Sequence, residues 1–315
     1  MSASARDPGG APPLRVRVPG STSNLGPGFD LLGVALSLWL EVELQVRSEG
    51  DDRIEAREGE AADWPDPGGN LLFRALDRAA EALAFERPRV RVRVRSEIPV
   101  GRGFGSSGAA VVAGLLLGTE LAGAEPDPTL LAGWGAELEG HPDNSTASLF
   151  GGCMLALPHP GGLCLLGHDL HPEIGFAIAW PAQPLSTERA RAALPAVVPF
   201  ADAMENPRRL AMLLEGLRRC NAELLTLGGE DRLHVPYRLP LVPGAREALD
   251  AARAAGAFVA TISGSGSGLV ALAPHRRCKK IAEAMRRELD GRPGPAHARV
   301  VEPVLDPPYV EAASS

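Results

Sequence analysis

Between Arg89 and Leu121 the chain passes through three kinds of sequence in quick succession, and their order limits what it can fold into. Arg89 to Arg95 alternates strictly, with Val90, Val92 and Val94 on one side and arginines on the other, the signature of a strand with one buried face. Gly101-Arg-Gly-Phe-Gly-Ser-Ser-Gly108 then packs four glycines and two serines into eight residues. From Ser106 to about Leu121 the residues are mainly Ala, Val, Leu and Gly, which predicts a buried helix opening at a Ser-Ser cap. A strand feeding a glycine loop that opens a helix places free backbone N–H groups at the positive end of that helix. This arrangement suits a phosphate chain, and a plain strand-to-helix turn would not need so many glycines.

Two readings of that loop compete. Gly103, Gly105 and Gly108 match G-x-G-x-x-G, so a Rossmann dinucleotide oxidoreductase is one possibility. That fold wants an acidic residue at the end of a second strand about 20 residues on. Here Glu120 is still helical by pattern and Glu125 lies in a proline-rich turn. The chain has no G-x-x-x-x-G-K-[ST], H-R-D or D-F-G, so Walker-type and protein-kinase phosphate sites are excluded.

The remaining pattern mixes helices and strands without a regular βα repeat, which predicts an α+β protein. Strands are expected at Arg15 to Val18, Leu38 to Val46, within Gly151 to Ile178, and at Phe258 to Ile262 and Leu269 to Leu272. Helices are expected at Asn70 to Leu83, Thr129 to Glu139, Asn206 to Leu227, Ala245 to Ala255 and Cys278 to Leu289. The 315 residues divide into a disordered lead-in, 1–13, and two lobes, 14–168 and 169–315. The lead-in lacks a basic segment followed by an apolar core, so no signal peptide is expected and the location is cytoplasmic. The longest apolar run, Ala109 to Leu117, is about half the ~20 residues of a membrane span. Cys153, Cys164, Cys220 and Cys278 show neither CxxC nor zinc spacing and read as reduced thiols. A net charge of -7 argues against nucleic-acid and acidic-membrane partners, and the arginines of the alternating strand read as a solvated face.

Two further glycine-rich segments, Pro19 to Asp30 (PGSTSNLGPGFD) and Ser263 to Gly268 (SGSGSG), accompany the central one. Together with ELEGHPDN at Glu137 to Asn144, STERARAALP at Ser186 to Pro195 and DRLHVPYR at Asp231 to Arg238, they occur in the order found in the homoserine kinases of the GHMP superfamily. The resemblance spans roughly residues 14 to 275. It implies a two-lobed GHMP fold, with an N-terminal lobe like ribosomal S5 domain 2 and a ferredoxin-like C-terminal lobe. It also implies ATP and Mg²⁺ as cofactors, L-homoserine as substrate and a homodimer. Gly108 stands where alanine is usual, and Ser267-Gly268 where Pro-Thr is frequent.

Residue by residue, the resemblance assigns the ATP phosphates to Pro99, Gly101, Arg102, Gly103, Phe104, Gly105, Ser106, Ser107 and Gly108. The metal falls to Ser106 or Ser107 with Glu137, and Glu139 is the alternative carboxylate. Asn24 and Asp30 fall at the ammonium and hydroxyl end of the substrate, and Arg191 and Arg238 at its carboxylate, with His141, Asn144, Thr187 and Gly264 lining the pocket. Asn24, Asp30, Arg191 and Asp143 are the catalytic candidates, Asp143 being binding or structural before it is a base. Without the resemblance, HPDN reads as a proline turn with an Asx cap and Arg191 as a surface arginine. His234, Tyr237 and the four tryptophans are assigned no chemistry.

Overall fold

In a computed structural model of the chain, residues 12–125 and 127–313 are described, so nearly all of the expected lead-in, 1–13, lies outside the described residues. The first half runs β1 (Leu14–Asn24), β2 (Gly28–Arg47), β3 (Arg53–Gly59), α1 (Leu71–Ala82), β4 (Arg89–Ser96), α2 (Ser106–Leu121), α3 (Pro128–Glu139), α4 (Asp143–Phe150), β5 (Cys153–His159) and β6 (Gly162–His168). The second half runs β7 (Ile174–Trp180), α5 (Thr187–Ala192), α6 (Phe200–Arg219), α7 (Ala222–Gly228), α8 (Val235–Arg238), α9 (Ala245–Ala254), β8 (Val259–Ile262), β9 (Leu269–Pro274), α10 (His275–Leu289), β10 (His297–Val301) and β11 (Val310–Ala312).

Two sheets organise these elements. The larger has the order β11-β1-β2-β4-β3, with β5 added to β2 and β6 to β5; the smaller is β10-β7-β9-β8. Among the described residues only β3 and β4 pair in parallel. A Rossmann unit requires a parallel sheet, so that alternative is set aside.

Alternation in β4 works as expected. Val90, Val92 and Val94 are buried, while Arg93 and Arg95 stand opposite Glu43 and Glu41 of β2. Arg91 reaches Glu55 of β3 at 3.0 Å. The basic stripe is therefore interleaved with carboxylates, which removes its attraction for a polyanion.

The apolar face of the larger sheet packs under α1 and α2, and this core continues into one face of the smaller sheet through Ile174, Phe176 and Ile178. The opposite face of β7, Ala177 and Ala179, belongs to a second core with α9 and α10. A strand buried on both faces has no reason to alternate, hence the unbroken apolar run of β7. After β10 the chain returns to the first sheet, where β11 pairs with β1. Among the described residues no helix is long and apolar enough to cross a membrane.

Several local expectations need correction. The helix expected over Asn206 to Leu227 is two helices, because Cys220 takes a left-handed conformation (φ 52°) and the Asn221 side chain then caps α7 by accepting from Leu224 N–H. Helix α6 begins earlier, at Phe200, and α10 begins at His275. HPDN is more than a turn, since Asp143 opens the buried helix α4.

Candidate active site

The three glycine segments, far apart in sequence, meet between the sheets around a cavity of about 330 Å³. The central loop is braced on both sides. Ser21 N–H donates to the Phe104 carbonyl (3.0 Å), and Gly268 N–H donates to the Arg102 carbonyl (3.1 Å). Ser263 Oγ donates to the Gly103 carbonyl at 2.7 Å and lies 2.8 Å from Thr22 Oγ1. Gly103 has φ of 71°, and a Cβ there would sit 1.9 Å from the Ser263 carbonyl oxygen, so no other residue fits. The third segment thus clamps the loop that opens α2.

At the start of α2, Ser106 and Ser107 line the cavity. Ser107 Oγ donates to Glu139 Oε1 at 2.7 Å, and Glu139 Oε2 is buried without a hydrogen-bond partner. Burial pushes the Glu139 carboxyl above its ordinary pKa, with the nearby Asp143 charge adding to the rise; His141, Ser107 and Ser145 oppose it. Glu137 is not brought to the site. It is one of the two candidate carboxylates, but its side chain is 62% exposed and pairs with Arg78 at 2.9 Å on the outer side of α3. The two glutamates stand two positions apart on α3, roughly half a helical turn, so they point to different sides. A buried oxygen with no donor, next to a serine hydroxyl at a helix N-terminus, fits a hard cation such as Mg²⁺.

The proposed phosphate residues divide in the same way. Pro99, Gly101, Gly103, Phe104, Gly105, Ser106 and Ser107 line the cavity. Arg102 and Gly108 do not. The Arg102 guanidinium hydrogen-bonds the Val100 and Ala182 carbonyls, tying the loop to the segment after β7. At Gly108 a Cβ would lie 3.0 Å from Glu139 Oε2 and 3.0 Å from Ser145 N, so glycine there allows α4 and Glu139 to approach α2 closely.

The same cavity is lined by all the proposed substrate residues: Asn24, Asp30, His141, Asn144, Thr187, Arg191, Arg238 and Gly264. Arg191 makes a bidentate pair with Asp30, both bonds 2.9 Å, so it is no idle surface arginine. Asn24 (φ 71°) donates Nδ2 to the Gly264 carbonyl at 2.8 Å and accepts Asp30 N–H at 3.0 Å. Thr187 Oγ1 lies 3.2 Å from Ser265 Oγ. Asn144 hydrogen-bonds the Ser21 and Ser23 hydroxyls, fixing α4 to β1.

His141 Nδ1 is 2.7 Å from Asp143 Oδ1. Burial alone would lower the His141 pKa, but the Asp143 hydrogen bond and charge, with Glu139 and Asp30, bring it above its usual value. Burial would likewise raise Asp143, and His141, Ser23 and the Asn144 N–H outweigh it, so Asp143 is held below the usual carboxylate range. With its Oδ1 engaged by His141 and by Asn144 N–H, Asp143 acts first as an organiser.

Arg238 is 1% exposed. Among the described residues its guanidinium bonds only neutral acceptors: the Ala190 and Gly264 carbonyls (3.3 and 3.2 Å) and His234 Nδ1 (3.4 Å). Burial depresses its pKa. A cation buried among neutral acceptors at the edge of a cavity is poised for an anion from outside.

Sequence reasoning missed Trp64 and Asn70, which line the cavity, and His234 behind Arg238. No motif marks the tryptophan. His234 sits in DRLHVPYR, where Asp231 three residues earlier was an available signal of a structured turn.

Comparison with known proteins agrees with this geometry. Residues 70–152 match the model of the GHMP kinases N terminal domain, and residues 210–291 match GHMP kinases C terminal. A homoserine kinase of Synechococcus sp. (strain RCC307) is 40% identical over 278 residues, 86% of this chain and 88% of that protein. This chain belongs to the homoserine kinase family of GHMP kinases. A second homoserine kinase, from Desulfitobacterium hafniense, is 38% identical over 86% of this chain and 91% of its own length. The crystal structure of homoserine kinase from Cytophaga hutchinsonii superposes with a TM-score of 0.86 at 26% identity, covering 99% of this chain and 100% of that one. Mevalonate kinase of Methanococcus jannaschii, at 12% identity and a TM-score of 0.69, shares the fold. The α+β, two-lobed GHMP architecture implied by the glycine segments is the one observed.

Proposed function

We propose that this chain is a homoserine kinase, transferring the γ-phosphoryl group of ATP to the side-chain hydroxyl of L-homoserine to give O-phospho-L-homoserine for threonine biosynthesis. The observation that carries the substrate is the buried Arg238, free of any acidic partner among the described residues, beside the Asp30–Arg191 pair. An amino acid presents an ammonium and a carboxylate; inserting between Asp30 and Arg191, it offers each a replacement partner and gives Arg238 the anion it lacks.

Phosphoryl transfer needs little covalent work from the protein, chiefly alignment and neutralisation of charge. The backbone N–H groups of Gly103 to Ser107, at the start of α2, hold the phosphates. Ser106 or Ser107 and Glu139 would hold Mg²⁺, which when bound neutralises phosphate charge and helps align the transferring group. Asn24 and Asp30 orient the ammonium and hydroxyl end, and Asn144 and His141 close the wall behind it. No dedicated base is assigned, because Asp143 is committed to His141 and the α4 backbone; the hydroxyl proton passes to an oxygen of the transferring phosphoryl group as the new O–P bond forms and the bond to ADP breaks, and from there to solvent. Trp64, also in the cavity lining, offers an aromatic face on which the adenine would stack.

In this reading residues 14–168 form the ATP-binding domain and 169–315 supply the carboxylate cations, and the protein acts as a cytoplasmic homodimer. The test is ADP release by the purified protein with ATP and Mg²⁺, comparing L-homoserine with L-threonine, L-serine, mevalonate and galactose. Turnover confined to homoserine is expected. Turnover on another alcohol with none on homoserine would overturn the substrate while leaving the kinase.

A further inference from the structure

His234 is fully buried and is not itself part of the cavity lining, yet it contacts two parts of the substrate end at once. Its Nε2 lies 2.8 Å from the Gly26 carbonyl, in the turn that connects Asn24 with Phe29 and Asp30. Its Nδ1 lies 3.4 Å from Arg238 Nη1. Its ring stacks on Phe29, with centroids 4.8 Å apart and planes at 24°, and the Arg238 guanidinium sits 4.9 Å from the centre of the same Phe29 ring.

These contacts permit one protonation state. A carbonyl can only accept, so Nε2 carries the hydrogen; a guanidinium can only donate, so Nδ1 carries the lone pair. Asp231 Oδ2, at 3.8 Å from Nε2, is beyond hydrogen-bond range and is engaged by the N–H groups of Leu233, His234 and Val235. The titratable and charged groups facing the ring are Asp231, Arg238 and Asp30. Burial first, and the Arg238 charge with it, hold the His234 pKa below its ordinary value, in keeping with the neutral tautomer that the hydrogen bonds demand.

We propose that His234 is a positioning residue for the acceptor carboxylate: as a neutral acceptor it aims Arg238 into the pocket without neutralising it, and it fastens Arg238 to the turn bearing Asn24 and Asp30. An aspartate or glutamate in its place would pair with Arg238 and cancel the charge offered to substrate. An aliphatic residue would leave one guanidinium N–H and the Gly26 carbonyl unsatisfied in the interior. The proposal rests on the homoserine reading above, and it adds a residue that reaches substrate through Arg238 and through the turn bearing Asn24 and Asp30.

The test uses the full-length protein and steady-state kinetics with L-homoserine and with L-homoserine amide, whose carboxamide is neutral. In His234→Ala the KM for homoserine should rise about ten- to a hundredfold, the loss expected for a charge-assisted contact, with the KM for ATP changed less than about twofold. The preference of the wild-type protein for homoserine over its amide should shrink by a similar factor. His234→Gln, whose amide can donate to Gly26 and accept from Arg238, should recover most of both and stands in should the alanine variant fail to fold. Unchanged homoserine KM and unchanged discrimination in a folded variant would overturn the proposal while wild-type turnover stands. Parallel losses for ATP and homoserine would also overturn it, because they indicate general damage. Absence of wild-type homoserine turnover would remove the substrate reading itself, and the proposal with it.

Discussion

Glu139→Gln should move stability and activity in opposite directions. In the metal-free protein the Glu139 side chain is half-buried, one oxygen accepting from Ser107 Oγ and the other, Oε2, shut off from solvent without a partner, and its pKa is raised by desolvation. A group whose folded pKa lies above its unfolded value contributes stability at low pH that is lost as pH rises through the folded pKa. At pH 8 the ionised Glu139 therefore weakens the metal-free fold. Glutamine keeps the shape, accepts from Ser107, and can donate its amide to Ser145 Oγ, which also lacks a partner. The expected gain is on the order of 1 kcal/mol, or a Tm rise of roughly 2 °C for a chain of this size, at pH 8 and absent at low pH. Turnover should fall by at least about 100-fold, near 2.7 kcal/mol of transition-state stabilisation, with a higher Mg²⁺ requirement. Thermal melts at pH 5 and pH 8 without Mg²⁺, together with ADP release across a Mg²⁺ titration, read both quantities. A lower Tm at pH 8, or full activity at the wild-type Mg²⁺ concentration, would refute the assignment of this carboxylate to the metal.

Asp143→Asn removes the buried charge beside the half-buried His141 and should cost about 2 kcal/mol by denaturant titration. The wild-type pair contributes most between the unfolded values of 3.8 for Asp143 and 6.5 for His141, fading as pH falls through the depressed Asp143 pKa or rises through the raised His141 pKa, so the variant's deficit should be largest in that window. Arg191→Ala breaks a pair that is more than a third exposed, so stability should change by less than about 1 kcal/mol; homoserine kcat/KM should nevertheless fall about 100-fold, and equal losses in both would argue against a substrate role. Trp64→Ala should raise the KM for ATP about tenfold, the worth of one base stacked on an aromatic ring, without moving the KM for homoserine. An unchanged ATP KM would take the adenine away from that wall.

Much of the site was legible because glycine and short polar residues are costly where nothing demands them. The three glycine segments meet as a braced unit, and Gly103 shows why: a side chain there collides with Ser263. The helix from Ser106 to Leu121 and the alternating β4 follow from local pattern alone. Choosing Glu139 over Glu137 was beyond that pattern, because both stand on one helix and only the approach of α2 at Gly108 decides which is buried. Trp64 and His234 were passed over because a single aromatic or histidine carries no periodic signal. The strands β10 and β11 were missed for a similar reason, being short and exposed along much of their length.

The sequence by itself determined the class of protein, the glycine loop that opens α2 and the order of the segments that build the site, since each is written in short stretches whose conformation is set by neighbours along the chain. Tertiary structure alone decided which of the two carboxylates meets Ser107, that Arg191 meets Asp30 across 161 positions, and that Arg238 is buried among neutral acceptors. Burial and charge at those points come from segments remote in sequence, and they exist only once the two sheets have closed on each other.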